Sequence, residues 1–286
     1  MFVVSGAALA DVAVQDASGR EASGRLRVTR HGARSVVSQA FARSPLRLLT
    51  PSNHGHAAWV FTSTYGGGLL GGDALEIDVE IEPGAAALLQ TQASTKVYRS
   101  RRGATSVTRA LVGDDGALVV LPDPTVCFAG ASFVQEQHVA LASTASLVLV
   151  DWITAGRRAS GERWAFDRFT SRLTVQRGPH LILADAVSLS ADEGCLRERL
   201  GRFDCLCTIV VIGPSLRCHA RAAIEAVART PAPRAADLLS SAAPLGDDGC
   251  VVRLAGASVE DVGRAMRAHL QFVPALLGDN PWARKW

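Results

Sequence analysis

The chain has 286 residues, of which 48 % are hydrophobic and 20 % are charged, and its formal net charge is +3. A soluble chain of this length can bury a large apolar core, so it needs no disulfide or structural metal to fold. The weak basic excess and an aromatic content of 6 % argue against a nucleic-acid-binding protein, which would need a basic face or stacking side chains.

The N-terminal segment and the cysteines predict a cytoplasmic protein. No Lys or Arg precedes Arg20, so the basic region of a secretory signal peptide is missing. The longest apolar runs, such as residues 145–150, are far shorter than the ~20 residues of a membrane-spanning helix. None of the six cysteines belongs to a C-x-x-C pair and most lie in apolar runs, so we expect reduced and mostly buried thiols.

From about residue 22 to residue 190 the sequence predicts one strand after another. In residues 75–82 four apolar side chains alternate with four carboxylates, which places them on opposite faces of a strand, and Pro83-Gly84 turns the chain. Further strands are predicted at residues 85–93, 105–112, 117–121, 132–141, 146–153, 163–169, 171–177 and 180–189. Strands about ten residues apart, with no helix between them, favour an all-β core of solenoid, barrel or sandwich type.

The C-terminal third is predicted to contain helices as well. Its elements are a buried strand (202–214), a helix (215–230), a linker (231–247), a turn with a strand (247–256) and a second helix (258–273). Pro231 ends the first helix, and Ser258 with Asp261 three residues later is a typical N-cap of the second. Apolar residues of the second helix recur at helical spacing, which indicates core packing, and no internal repeat is evident in the chain.

The densest glycine segment, TYGGGLLGGD, raises the question of a phosphate-binding loop. Gly66, Gly68 and Gly71 satisfy G-x-G-x-x-G, but a strand follows where a dinucleotide-binding loop would open a helix. Residues 83–113 contain no Asp or Glu to bind a ribose, and no Lys-Ser or Lys-Thr pair completes a P-loop. The glycines therefore serve positive φ angles or close backbone approach, with Asp73 either capping the turn or facing a cavity or a partner.

Two charged segments lie downstream of the glycines. Five acids between residues 73 and 82 are followed, in residues 88–104, by basic side chains alone: Lys96, Arg99, Arg101 and Arg102. Neighbouring strands of opposite charge can pair their solvent faces, or they can present a polarised docking surface. Further along, Arg157 and Arg158 lie in a glycine-bounded turn before Glu162, which in isolation is typical of an ordinary charged loop.

Taken together, these segments resemble the UreD family of urease accessory proteins, which is called UreH in some organisms. That family carries a G-G-x-x-x-G-D loop, a T-Q-A-x-T-K-V-Y-R strand, an L-P-x-P segment and a G-R-x-x-x-G-E turn. This sequence has GGLLGGD, TQASTKVYR, LPDP and GRRASGE in the same order within residues 40–190, and its ending RKW is also similar.

The resemblance implies a mainly β fold, a β-helix-like stack of many short strands with two C-terminal α-helices. One UreD-like domain would span residues 1–286, with a β core at about residues 22–214 and a helix-containing part at about 215–286. It also implies a cytoplasmic urease maturation factor that acts as a scaffold and chaperone and has no enzymatic activity.

Such a factor would bind apo-urease and an all-helical UreF-type partner, which recruits a UreG-type GTPase and would face the C-terminal helices. Ni²⁺ would pass in transit through a water-filled tunnel, with no tightly bound cofactor. By the resemblance, the residues of this path are Asp73 and Glu162, which would line or gate it, and Thr91, Gln92, Lys96, Tyr98, Arg99 and Arg157. A conduit should offer isolated carboxylates and water instead of a closed His/Cys site, and no H-E-x-x-H or C-x-x-C motif is present.

His54 and His56 are the one candidate metal pair, because alternate residues of an extended chain point to the same side. Two ligands alone would make a weak Ni²⁺ site, and the surrounding PSNHGHAA is typical of a polar loop.

Two alternative functions stay open. The first is an enzyme, although no G-x-S-x-G, H-E-x-x-H or catalytic Cys signature is present. The second is a β-solenoid interaction module for a different partner.

Overall fold

The computed structural model describes residues 23–283, which form two β-sheets and four α-helices. In chain order the elements are β1 (Gly24–His31), β2 (Arg34–Ala42), β3 (Leu46–Leu49), β4 (Ala58–Thr64), β5 (Ala74–Ile81), β6 (Ala86–Thr91), β7 (Thr95–Val97), β8 (Ala104–Val112), β9 (Ala117–Leu121), β10 (Thr125–Cys127), β11 (Ser132–Leu141), β12 (Ser146–Thr154), β13 (Arg168–Arg177), β14 (His180–Ser190), α1 (Leu196–Leu200), β15 (Cys205–Ile212), α2 (Arg217–Arg229), β16 (Leu238–Leu245), β17 (Gly249–Gly256), α3 (Val259–His269) and α4 (Val273–Leu277). The strand order is β14-β13-β11-β8-β5-β1-β2 in the first sheet and β16-β17-β15-β12-β9-β6-β4-β3 in the second.

The two sheets are stacked as a β-helix, because the chain alternates between them. β5, β8, β11 and β13 are parallel neighbours in the first sheet, and β4, β6, β9 and β12 are parallel neighbours in the second. Antiparallel strands complete both sheets, namely β2 and β14 in the first and β3, β15, β16 and β17 in the second. This architecture confirms the mainly β, β-helix-like fold that the resemblance implied.

The successive turns of the β-helix form a structural repeat that the sequence does not reveal. In the first sheet three consecutive parallel strands begin at residues 74, 104 and 132, and in the second at residues 86, 117 and 146. Each turn therefore takes roughly 30 residues, which is within the range of solenoid repeats. The repeat is hidden because each position requires only an apolar or a polar side chain, and because the connecting loops differ in length.

The two edges of the stack have different connections. At one edge short turns, at 82–85, 113–116 and 142–145, join the first sheet to the second. At the opposite edge, which we call the loop edge, longer segments lead back to the first sheet; they are residues 65–73, 92–103, 122–131 and 155–167. β7 and β10 form within these segments and pair with each other, and a single bridge joins Leu69 to Val97. The loops that carry the four motifs of the sequence thus lie together at one edge.

Two apolar cores hold the stack together. The first lies between the two sheets, and the second lies between the outer face of the second sheet and the helices α2 to α4. Val262, Met266 and Leu270 belong to the second core, as their helical spacing predicted. Ser258 caps α3, since its hydroxyl accepts a hydrogen bond from the Asp261 amide at 3.0 Å, which confirms the predicted N-cap.

One predicted strand and the predicted linker are wrong in part. The strand predicted at 163–169 begins only at Arg168, because Trp164 adopts a positive φ of 53° that interrupts the extended chain. Residues 238–245, predicted as part of a linker, form the edge strand β16 by pairing with β17. The apolar and polar residues of β16 do not alternate, so the sequence carried no strand signal there.

The helical part contains more than the two helices predicted. The helix predicted at 215–230 is α2, and the helix predicted at 258–273 ends at His269, after which α4 begins at Val273. α1 and α4 span five residues each, which is too short to show a helical period in sequence. Within residues 23–283, none of the helices has the length and apolar character needed to cross a membrane.

Candidate functional site

A cavity of about 180 Å³ lies between the two sheets next to the loop edge. Its lining is partly apolar, but many of its residues carry hydroxyl, amide or carboxylate groups. These residues are Thr62, Ser63, Thr64, Gln90, Thr91, Ser94, Thr95, Ser106, Thr108, Thr125, Gln135, Gln137 and Asp151. Buried polar groups require hydrogen-bond partners, so a cavity lined in this way is suited to hold water.

On the inner faces of β8 and β11, two polar side chains at the cavity lie between one apolar residue at the start of the strand, Ala104 or Phe133, and the apolar residues further along. In β8 and β11 the residues near the loop edge line the cavity, whereas those further along belong to the core between the sheets. In chain order they are Ser106, Thr108, Ala110 and Val112 in β8, and Gln135, Gln137, Val139 and Leu141 in β11. Because alternate residues of a strand share one face, this pattern is present in the sequence, although the predicted site residues did not include these side chains.

Among the described residues that line this cavity, Asp151 is the one carboxylate. It lies on β12 of the second sheet, and its Oδ1 accepts a hydrogen bond from Gln135 Nε2 at 2.9 Å, across the gap between the sheets. Its Oδ2 accepts a hydrogen bond from the hydroxyl of Ser171 on β13. Burial raises the pKa of Asp151, the two hydrogen bonds oppose that shift, and the nearby Asp185 adds to it.

Asp151 and Trp152 also line a second cavity, of about 480 Å³, whose lining contains residues of both sheets. The lining of this second cavity is mostly apolar and comes largely from β13 to β17. Beside it, Arg253 on β17 forms an ion pair with Asp185 on β14 at 2.6 Å. Since Asp151 and Trp152 line both cavities, the two spaces lie next to each other at these residues.

The glycine loop packs its backbone against the segment that carries β7. The amide of Leu69 donates a hydrogen bond to the Lys96 carbonyl at 2.8 Å, and the amide of Tyr98 donates to the Leu69 carbonyl at 2.9 Å. A Cβ atom on Gly71 would lie 2.3 Å from Cβ of Ser100, so no larger residue fits there without a shift. The loop therefore uses bare backbone for close approach of two chain segments, as the sequence analysis concluded.

Asp73 caps the end of the same loop. Its Oδ2 accepts a hydrogen bond from the Leu70 amide at 2.7 Å, and its own amide donates to the Leu70 carbonyl at 3.1 Å. Its carbonyl accepts a hydrogen bond from the Thr105 amide at 2.9 Å, which ties the loop to β8. Of the two roles open to Asp73, the structure shows the turn cap. Asp73 is not among the residues that line the cavity, so its place in the metal path stays a prediction.

Glu162 closes its glycine-bounded turn by pairing with Arg157. Nε of Arg157 lies 3.0 Å from the Glu162 carboxylate, which also accepts a hydrogen bond from the Ala129 amide at 3.1 Å. The Arg157 hydrogen bonds hold the pKa of Glu162 below its usual range. The guanidinium of Arg157 lies 4.1 Å from the centre of the Phe128 ring, and that ring makes an edge contact with Tyr98. Three of the predicted path residues, Glu162, Arg157 and Tyr98, thus form one cluster outside the cavity lining.

The other predicted path residues are spread along the loop edge. Thr91 lines the cavity, and its hydroxyl accepts a hydrogen bond from the Asp123 amide at 2.7 Å. Gln92, Lys96 and Arg99 are exposed and do not line the cavity. Of the residues that the resemblance assigned to the path, the structure therefore places Thr91 at the cavity.

His54 and His56 lie in a loop that packs against the end of α4. The His54 amide donates a hydrogen bond to Asp279 at 2.9 Å, and a Cβ atom on Gly278 would lie 2.7 Å from Nδ1 of His56. Both histidines are exposed, and residues 23–283 contain no cluster of three or more His, Cys, Asp or Glu side chains placed to hold a metal ion. Metal binding by this pair stays a prediction.

The carboxylates of β5 pair within their own sheet. Their closest contacts are to Arg27 of β1, at 2.7 Å, and to Arg109 of β8, at 3.1 Å. The pairing considered between the acids of residues 73–82 and the basic residues 96–102 is not formed, because β8, and not the segment before it, is the neighbour of β5. Of the two interpretations of that basic segment, a docking surface is the one left.

Comparison with known families agrees with the order of the motifs. The family model described as UreD urease accessory protein matches residues 20–286. A protein named urease accessory protein UreD from Sorangium cellulosum is 52 % identical over 269 residues, which cover 94 % of this chain and 86 % of that protein. A protein of the same name from Anaeromyxobacter sp. is 44 % identical over 93 % of this chain and 90 % of its own length. Urease accessory protein D of Arabidopsis thaliana is 30 % identical over 92 % of this chain and 100 % of its own length.

Proposed function

This chain belongs to the UreD family of urease accessory proteins, and we propose that it serves urease maturation by passing Ni²⁺ through its interior to apo-urease. Membership of the family supports the role in urease maturation. The interior route for the ion is the finer part of the proposal, and it rests on the polar cavity between the sheets. In this role the chain is a scaffold and chaperone, and nickel is its cargo.

The observation that carries the proposal is the polar lining of that cavity. Much of the space between the sheets is filled by the first apolar core, where polar side chains would weaken packing unless they are hydrated or paired. Hydroxyl, amide and carboxylate oxygens suit a hydrated divalent ion that must leave again. A closed set of imidazole and thiolate ligands would instead retain Ni²⁺, and the lining contains no His or Cys side chain among the described residues.

Asp151 is the residue that we expect to attract the ion. A carboxylate enclosed by the protein is costly in its ionised form, and a divalent cation beside it favours that form. Gln135 and Ser171 fix the orientation of the carboxylate from the opposite sheet. Because Asp151 lines both cavities, an ion held there for a short time has space on either side.

Asp73 and Glu162 are the path residues that the resemblance proposes. Both carboxylates are bonded to loops at the loop edge, so their replacement acts on the loops as well as on charge. As path residues, Asp73→Ala or Glu162→Ala would lower the nickel content of urease while the complex still assembles. Loss of assembly in these variants would assign them a structural role instead.

The proposed partners are apo-urease, a UreF-type helical protein and, through it, a UreG-type GTPase. α2 and α3 pack their apolar sides on the second sheet and leave charged side chains, such as Arg221, Glu225 and Arg267, in solvent. We assign this outer surface of the C-terminal helices to the UreF-type partner. Co-expression of the chain with each partner, followed by purification of the complex, tests the assignment.

Nickel loading in cells that lack this gene tests the proposed route. The cells express urease and the other accessory proteins together with the wild-type chain, Asp151→Asn or the control Asp192→Asn, which changes an exposed carboxylate. We expect Asp151→Asn to lower the nickel content of purified urease severalfold without changing co-purification of the complex. The control Asp192→Asn should give a normal nickel content. Normal nickel content with Asp151→Asn would contradict the route, and failure of the wild-type chain to restore urease would favour an interaction module for a different partner.

A further inference from the structure

Five cations at the loop edge and the adjoining strand β3 have no carboxylate partner. They are Arg47, Lys96, Arg99, Arg101 and Arg102, and we call them the basic rim. All five are exposed, and within residues 23–283 none of them forms an ion pair. The acids nearest in sequence, on β5, are instead paired with arginines of β1 and β8. The five cations of the basic rim are therefore not neutralised by ion pairs within the described residues, and the one carboxylate of the glycine loop, Asp73, is bonded to the Leu70 amide instead.

Two large apolar side chains of the glycine loop accompany the basic rim. Tyr65 is 57 % exposed and Leu70 is 60 % exposed, although both belong to a loop that is held firmly by backbone hydrogen bonds. The guanidinium of Arg47 lies 4.9 Å from the centre of the Tyr65 ring, and the Gly72 amide donates a hydrogen bond to the Gly103 carbonyl at 2.6 Å. Exposed aromatic and apolar groups next to arginines are typical of protein–protein interfaces.

The basic rim borders the polar cavity. Gly67 and Leu69 of the glycine loop line the cavity, as does Thr95, which is next to Lys96. Like charges repel, so the rim by itself opposes the entry of a divalent cation from bulk solvent. An acidic surface placed over the rim would remove that repulsion and would at the same time face the cavity.

We propose that the basic rim, together with Tyr65 and Leu70, docks an acidic surface of a partner protein in the maturation complex. The proposal rests on the proposed function, since it identifies the kind of surface that a partner must present at this end of the cavity. Opposite charges on the two surfaces would speed association and fix orientation, and the two apolar side chains would supply buried contact area.

Charge reversal tests the proposal on the full chain. We compare Arg101→Glu/Arg102→Glu with Arg25→Glu/Arg234→Glu, a control that makes the same change in charge at two exposed arginines that do not belong to the rim. Capture of purified apo-urease and of the UreF-type protein is measured separately at about 50 mM and about 300 mM NaCl, because salt screens exposed charges. Because the UreF-type protein is assigned to the C-terminal helices, apo-urease is the partner that we expect at the rim. The rim variant should bind apo-urease about tenfold more weakly at low salt, with a smaller difference at high salt, and the control should bind normally.

A second variant separates charge from folding defects. Tyr65→Ser/Leu70→Ser leaves the net charge unchanged and should weaken capture of the same partner at both salt concentrations. Equal capture of both partners by the wild-type chain and the rim variant would overturn the proposal, as would an equal loss in the control. The proposal would also be overturned if the rim variant bound an RNA oligomer more weakly than the wild-type chain does but captured both proteins normally. Asp151→Asn should keep normal capture, so a failure of docking and a failure of nickel transfer are distinguishable.

Discussion

Gly71→Ala is the variant that tests most directly why the glycine loop needs bare backbone. The φ angle of Gly71 lies outside the left-handed region that favours glycine, so the effect of alanine there comes from space. Its Cβ would lie 1.4 Å from Oγ and 2.3 Å from Cβ of Ser100. Because carbon atoms in contact are about 3.5–4.0 Å apart, the two chain segments would have to separate by at least about 1 Å. Overpacking of this kind costs about 2–3 kcal/mol and lowers the melting temperature of a chain of this size by roughly 5 °C.

Because the added methyl group would meet the side chain of Ser100, a second substitution at Ser100 should restore the lost stability. Ser100→Gly removes both atoms that the new methyl group would meet, at the expense of the hydrogen bond from the Arg102 amide at 3.1 Å. That change alone should destabilise by about 1 kcal/mol. The double variant Gly71→Ala/Ser100→Gly should then be about as stable as Ser100→Gly, which gives a coupling free energy of about 2 kcal/mol.

Urea unfolding of the four chains measures this coupling, and Gly66→Ala provides the control. Gly66 has a positive φ of 80° and no atom within 4 Å of a built Cβ, so Gly66→Ala should cost about 1 kcal/mol through backbone strain. Ser100→Gly should not rescue that loss. The reasoning is refuted if Gly71→Ala is as stable as the wild-type chain, or if the effects of Gly71→Ala and Ser100→Gly simply add.

Three further predictions concern ionisation, thiols and a buried ion pair. Burial raises the pKa of Asp151, so the stability linked to its proton is present at low pH and is lost as the pH rises through that raised value. Asp151→Asn should therefore raise the melting temperature more at about pH 9 than at about pH 4. An equal change in melting temperature at the two pH values would contradict this prediction. Of the six thiols, Cys195 and Cys218 should react rapidly with an alkylating reagent in the folded chain, because the other four are buried, and mass spectrometry of peptides identifies the sites. Asp204→Ala should destabilise the chain by about 3 kcal/mol, since it removes a buried carboxylate that pairs with two arginines. Asp192→Ala, at an exposed pair, should change stability by less than about 0.5 kcal/mol, and equal urea midpoints for these two variants would refute the argument.

The sequence determined the elements of this fold through short-range patterns. Period-two alternation in residues 75–82 predicted a strand with one buried face, and that strand is β5. Helical spacing with the Ser258 cap predicted α3. The order of the glycine loop and three further motifs was sufficient to indicate the UreD family. In the glycine loop the requirement is local, a turn cap and a close approach of backbone.

The tertiary structure decided which side chains meet. Gln135, Asp151 and Ser171 are 16 to 36 positions apart in sequence, and they come together only because successive turns of the β-helix stack in one register. The alternation of apolar and polar side chains decides which face of a strand is buried, but the residues that lie level with one another in successive turns depend also on the geometry of the connections between the strands. For the same reason, the sequence showed that a basic segment follows an acidic one, but not which strands are neighbours. In the structure β8 lies beside β5, and Arg109 of β8, not a residue of the basic rim, pairs with the β5 carboxylates. Local periodicity fixes the face of a residue, whereas only the stacking of distant turns fixes its neighbour on that face.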